Sequence, residues 1–175
     1  MQQKREQKEK LTAEQRVELQ AKKMAITVNG FAHELLGINT VKPARAQVIV
    51  TNELKHIPFN STFHYDRGYY YFRNFENRIL LGGGRNLDFE GETTTSLDQT
   101  ERIQNKLEQL LTNVILPNQA FEIEQRWSGI MGVGKQKKPI VKQLTEHVYC
   151  GVRLGGMGVA IGSSVGKELA DLIKQ

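Results

Sequence analysis

Three glycines in the stretch Arg153-Leu154-Gly155-Gly156-Met157-Gly158 separate an apolar run, Val148 to Val152, from an amphipathic segment that continues to Ile173. A strand, a glycine-rich turn and a helix in that order leave free backbone N–H groups at the helix start. There they carry partial positive charge and attract anions. Glycine has no Cβ, so a flat or phosphorylated ligand can approach such a turn closely. These residues therefore offer half of a cofactor site. The competing reading is structural, since the same glycines would let a helix pack tightly on a sheet.

Three further segments group with that turn. Ala25-Ile26-Thr27-Val28-Asn29-Gly30-Phe31-Ala32 is an apolar strand ending in a turn. Pro43-Ala44-Arg45-Ala46-Gln47-Val48 carries a cation and an amide into a strand. Arg126-Trp127-Ser128-Gly129-Ile130-Met131-Gly132 is followed by Lys138-Pro139-Ile140. Each segment has a plain alternative. Arg45 pairs equally well with a nearby carboxylate, Arg153 suits the surface or a salt bridge, and Trp127 suits a core or an interface. Cys150, the single cysteine, reads as a small buried hydrophobe. His33, His56, His64 and His147 lack metal-ligand spacing, so no metal is expected.

The elements that position these residues follow from hydrophobic period. Thr12-Ala13-Glu14-Gln15 has the form of a capping box and predicts a helix to about Lys22. Met24 to Val28 predicts a strand, and Phe31 to Leu36 a short helix. Gln47 to Thr51 predicts a strand. Tyr69–Phe72 and Arg78–Leu81 predict a hairpin turning over Asn74 to Asn77 and ending at Gly82-Gly83-Gly84. One face of Tyr69-Tyr70-Tyr71 is expected in the core. Ser96 or Thr95 is expected to cap a helix that buries Ile103, Leu107, Leu110, Leu111 and Val114 and closes at Pro117. Strands are expected at Phe121–Glu124, Ile140–Val141 and His147–Cys150. The last helix, about Gly158 to Ile173, is expected to bury Val159, Ile161, Val165, Leu169, Leu172 and Ile173.

Composition narrows the class. The chain has 175 residues and a formal charge of +5, enough for a domain with a real core. Seven Lys/Arg and four Glu in residues 1–23 supply +3 of that charge. Those charges alternate in sign without interleaved aromatics, which favours a solvated helix over a nucleic-acid arm. No run of about eighteen apolar residues exists, so no membrane span is expected. The charged N-terminus lacks the apolar core of a signal peptide. With one cysteine, a reducing compartment, the cytoplasm, is the expectation.

In order and spacing the four segments resemble the C-terminal portion of the FAD-dependent oxidoreductases of the glycine and D-amino acid oxidase family, from about Lys22 to the end. Ile79-Leu80-Leu81-Gly82-Gly83-Gly84-Arg85 also sits where that family ends a substrate-domain strand in glycines. The resemblance implies an α+β fold of α/β type. An antiparallel substrate-domain sheet with a helix would join the C-terminal part of a Rossmann-like FAD-binding domain. It divides the chain into a charged segment (1–23), FAD-domain parts (24–44 and 126–175) and a substrate sheet (45–125). It implies that the flavin's pyrimidine edge lies against the N–H groups of Gly155, Gly156, Met157 and Gly158, with Arg45, Gln47, Trp127 and Gly129 also on the cofactor. Arg153 would hold a substrate carboxylate, because guanidinium grips carboxylate bidentately. The implied activity is oxidation of the C–N bond of an amino acid or amine, with electrons passed to oxygen or another acceptor. The family's opening Gly-x-Gly-x-x-Gly is not found in this sequence. The expectation is a truncated or split gene product that binds FAD weakly or not at all alone. An N-terminal half in trans would complete it. Otherwise it is a non-catalytic remnant acting as a dimerising or interaction module.

Overall fold

Lys42–Thr51 forms a ten-residue strand, β2, on which the fold is hung. The computed structural model describes residues 19–175, so the expected helix from Thr12 lies almost wholly outside the described residues, and Leu19 to Lys22 are not helical. Before β2 come strand β1 (Met24–Ile26), a 3-10 turn (Asn29–Phe31) and helix α1 (Ala32–Leu36), which ends at Gly37. After it come β3 (Thr62–Tyr65), β4 (Tyr70–Phe75), β5 (Arg78–Gly83) and a 3-10 turn (Arg85–Leu87). Helix α2 (Glu101–Leu110) runs into a π turn (Leu111–Ile115). Strands β6 (Ile123–Val133), β7 (Ile140–Gln143) and β8 (Val148–Val152) lead to the last helix, α3 (Gly158–Lys174).

The strands make two sheets. One is wholly antiparallel, in the order β3-β4-β5-β2-β6. The other has the order β1-β8-β7, with β1 parallel to β8 from Met24–Val148 to Ile26–Cys150. The larger core packs Ile49, Tyr70, Ile79 and Leu81 of the big sheet against Ile103, Leu107, Leu110 and Leu111. The smaller core gathers Ile26, Ala32, Val41, Cys150 and Val152. On the small sheet α3 lies close: a Cβ on Gly151 would sit 3.0 Å from Leu169 Cδ2. The fold is thus α+β with an antiparallel sheet beside a smaller sheet containing a parallel pair. Among the described residues no helix is long and apolar enough to cross a membrane.

Several expected details change for physical reasons. Helix α2 starts at Glu101, with Thr100 rather than Ser96 or Thr95 at the N-cap position and no side-chain capping bond. Thr100 is drawn there by hydrogen bonds with Gln47 and Glu92. Val114, expected buried, is 50 % exposed. The bond from Leu116 N–H to Leu111 O is a π-type turn, which shifts the register by one residue and turns Leu111 and Ile115 inward. Val159, expected on the buried side of α3, is fully exposed, because the first turn of the helix projects beyond the sheet, while Val165 and Leu169 are buried. Tyr70 fills the core as expected. The exposed edge strand β3 was not anticipated; stacking of Phe63 on Phe72 holds it to β4.

Candidate functional site

The turn after β8 is clamped to the C-terminal end of β6. Gly155 N–H donates to Gly132 O at 2.9 Å, and Leu154 N–H donates to Asn29 Oδ1 at 3.1 Å. Gly132 is needed for this approach, since a Cβ there would meet Asn29 Oδ1 at 2.5 Å. Asn29 has φ +47 and joins the end of β1 to the same corner. Gly155 and Gly156 have φ +60 and +81, which glycine adopts without strain.

The start of α3 has no side-chain cap and no acidic residue in its first turn. Met157 N–H donates to Leu154 O, so it and Gly155 are engaged within the turn. The N–H groups of Gly156 and Gly158 have no partner among the described residues. The expectation that all four groups from Gly155 to Gly158 face a ligand narrows to these two. No atom lies within 4 Å of the position a Cβ would take on Gly155 or Gly129. Bare backbone, free donors and an uncapped seventeen-residue helix fit the anionic edge of a flat ring such as a flavin.

Strand register decides which other residues join this corner. Arg45 pairs with Ile130 and Gln47 with Ser128, so those four side chains share one face of the sheet. Trp127, Gly129 and Met131 share the other face. A Cβ on Gly156 would touch Met131 Sδ at 3.3 Å, so this second face is the one the glycine turn meets. Trp127 is 39 % exposed on it. Trp127 and Gly129 thus share the sheet face of Met131, the residue that Gly156 meets, and Arg45 and Gln47 lie on the opposite face.

There Arg45 and Gln47 converge on Glu92. Arg45 Nε and Nη2 donate to Glu92 Oε2 and Oε1 at 2.9 and 2.8 Å, and Gln47 Nε2 donates to both oxygens at 3.0 Å. Gln47 Oε1 accepts from Gln104 and from Thr100 N–H, and Gln104 Oε1 accepts from Arg126 at 2.7 Å. Arg45 has taken the carboxylate partner foreseen as its alternative. Burial pushes the Glu92 carboxyl up, but bonds from Arg45 and Gln47, the Arg45 charge and Thr100 hold it below the usual carboxylate value. The bond to Glu92 in turn raises Arg45.

Arg153 is buried and has φ +65, an uncommon conformation for a residue with a side chain. Its Nε donates to Lys138 O at 2.8 Å and its Nη1 to Thr40 O at 3.2 Å. Arg153 and Gly155 line a cleft of about 830 Å³ that also includes Lys42, Arg85, Lys135 and Lys137. Neither Arg45 nor Gln47 lines it. Sequence reasoning assigned no role to Asn29, Glu92 or Arg85. The Asn29-Gly30 pair, the acid in a Thr-rich segment and the arginine after three glycines were the available signals. Cys150 is fully buried, and burial raises its thiol pKa.

A family model described as DAO, FAD dependent oxidoreductase, matches residues 2–172. No curated protein matches the sequence. Among solved structures, iminodiacetate oxidase from Chelativorans sp. BNC1 is 21 % identical with a TM-score of 0.69, over 89 % of this chain and 43 % of that one. L-Proline dehydrogenase from P. horikoshii is 20 % identical with a TM-score of 0.67, over 86 % and 42 %. Glycine oxidase from Geobacillus kaustophilus is 16 % identical with a TM-score of 0.72, over 88 % and 42 %. The likeness is one of fold. The chain spans under half the length of each of these structures.

Proposed function

The chain belongs to the FAD dependent oxidoreductase family, and from that premise we propose that it forms the substrate sheet and flavin-ring end of an oxidoreductase acting on the C–N bond of an amino acid or amine. The observation that carries this reading is the uncapped start of α3, where the N–H groups of Gly156 and Gly158 are free and Gly156 meets Met131, on the sheet face that Trp127 and Gly129 share. FAD, when bound, supplies the acceptor for a hydride from the carbon beside the substrate nitrogen and passes the electrons to oxygen or another acceptor. The two N–H groups and the helix dipole stabilise negative charge at the ring's edge, about 3 kcal/mol for a well-placed donor. Trp127, Gly129, Gly155 and Met157 would help to hold the ring.

Arg153 grips the substrate's carboxylate through Nη2, which its carbonyl contacts leave free. Arg45 and Gln47 act from the other face of the sheet. By binding Glu92 they hold β2 in place, and toward a bound cofactor they would act as positioning residues. The names of the three structural neighbours, iminodiacetate, L-proline and glycine, each specify an amine with a carboxylate, which supports a substrate of that class. We assign 24–44 and 126–175 to the cofactor side, 45–125 to the substrate sheet and 1–23 to a charged segment, in a cytoplasmic protein. A nucleotide-binding half in trans would hold the ADP end of FAD.

A second reading draws on the exposed apolar side chains of Val28, Phe31, Leu35, Met157 and Val159. Such a surface suits a covering partner, a second copy or a separate half, and a module of this kind needs no cofactor. Colour distinguishes the two. The protein is incubated with FAD, alone and with a nucleotide-binding half supplied in trans, then gel-filtered. Absorbance retained near about 450 nm supports the flavin reading. Protein that is colourless under both conditions leaves only the interaction module.

A further inference from the structure

Five cations, Lys42, Arg85, Lys135, Lys137 and Arg153, line the cleft beside the glycine turn, and among the described residues no acidic one lines it. Like charges gathered on a concave surface focus a positive potential and draw anions. The three lysines are exposed, Arg85 is half-buried and Arg153 is buried. Arg153 stands at the end of β8. Its contacts are to neutral carbonyl oxygens, which orient the charge without cancelling it.

Arg85 stands at the end of β5, just past Gly83 and Gly84, whose φ values of +123 and +84 turn the chain there. Its guanidinium lies 4.9 Å over the Phe89 ring. Its Nε is buried without a hydrogen-bond partner, and its Nη2 makes only a long contact of 3.4 Å to Thr93 Oγ1. It forms no ion pair among the described residues. Glu92 is already engaged by Arg45. A buried donor without a partner is costly and rare, and an anion in the cleft would supply the partner that Arg85 Nε lacks.

One carboxylate fills one guanidinium fork. Two guanidinium groups in one cleft, neither of them in an ion pair among the described residues, suit two. We infer that the cleft takes an amine bearing two carboxylates, one held by Arg153 and the second by Arg85, so that Arg85 sets the substrate class. The inference rests on the proposed role of Arg153 toward a substrate carboxylate. Phosphate groups would meet the same cations, so pyrophosphate is the control for a cofactor's phosphates.

Calorimetric titration of the flavin-free chain with succinate, glutarate, butyrate and pyrophosphate at low salt tests this. We expect at least one dicarboxylate to bind about tenfold more tightly than butyrate, the gain from one added charge-assisted contact. Arg85→Gln is expected to bring the two within about twofold, and Arg85→Lys, which keeps the charge but not the fork, to fall between. The preference is read on the unaltered chain, so it stands even if a variant misfolds. Equal affinity for mono- and dicarboxylates, no binding of either, or a preference that survives in folded Arg85→Gln overturns the inference. So does pyrophosphate binding more tightly than both dicarboxylates. Flavin retention by the same sample is independent: a chain that holds FAD without preferring dicarboxylates loses only this inference.

Discussion

At the scale of residues, the site depends on side chains held against their intrinsic preferences. Arg153 keeps a left-handed backbone, which costs about 1–2 kcal/mol for an L-residue, and carbonyls of Lys138 and Thr40 hold its guanidinium. In a flavin-loaded enzyme Arg153→Ala is expected to raise KM for carboxylate substrates by about tenfold or more, from loss of a charge-assisted pair. Amines without a carboxylate should be little affected. Steady-state kinetics on both classes checks this, and an unchanged KM for the carboxylates removes the assigned role. Arg45 and Glu92 are both buried, so Glu92→Ala leaves a buried, unpaired cation. We expect a loss of about 3–5 kcal/mol by urea denaturation. The folded Glu92 carboxyl titrates below its unfolded value. Its stabilisation is therefore complete above the ordinary glutamate range and is lost as pH falls through the folded value. Glu92→Gln should flatten that part of the acid-side stability profile. The sequence showed Arg45 with two equal fates, and only the distant segment that brings Glu92 to it decides between them.

At the scale of elements, local pattern and long-range pairing carried different amounts of information. The hairpin of β4 and β5 and the helix α2 were legible because period-2 and period-3.6 patterns are local. Val114 was not, because a π turn inserts one residue into a ladder whose sequence keeps the ordinary helical period. Nor was the side of the sheet on which Arg45 and Trp127 lie, which depends on a register between strands some eighty residues apart. Gly83 ends β5 at φ +123, where an added Cβ would overlap the Tyr69 carbonyl oxygen. Gly83→Ala is therefore expected to destabilise the chain by about 3 kcal/mol or more, seen as a lowered thermal midpoint. Gly158 behaves oppositely. Its φ is not positive, and a Cβ there meets only Leu154 Cδ1 at 3.4 Å. An aspartate in this uncapped first turn should stabilise α3 by about 0.3–1 kcal/mol.

At the scale of the whole molecule, the two sheets divide the proposed labour. The five-stranded sheet offers the face of Trp127, Gly129 and Met131, and the turn that leads from the three-stranded sheet into α3 meets that face at Met131. Their junction at Asn29, Gly132 and Gly155 is made by residues from three distant segments. The glycine spacing pointed to such a site in the sequence, whereas the cation-lined cleft did not, because Lys42, Arg85 and Lys135 come together only in the fold. The central claim is that the start of α3 holds the anionic edge of a flavin. The most direct test is an equilibrium titration of FAD, followed through its absorption band near about 450 nm, with the unaltered chain and with Gly158→Asp. The unaltered chain should perturb the band saturably. The variant, folded and no less stable, should perturb it far less, because its carboxylate meets the same N–H groups and repels the ring's negative edge. A band that the unaltered chain leaves unchanged, or that the variant perturbs equally, contradicts the claim.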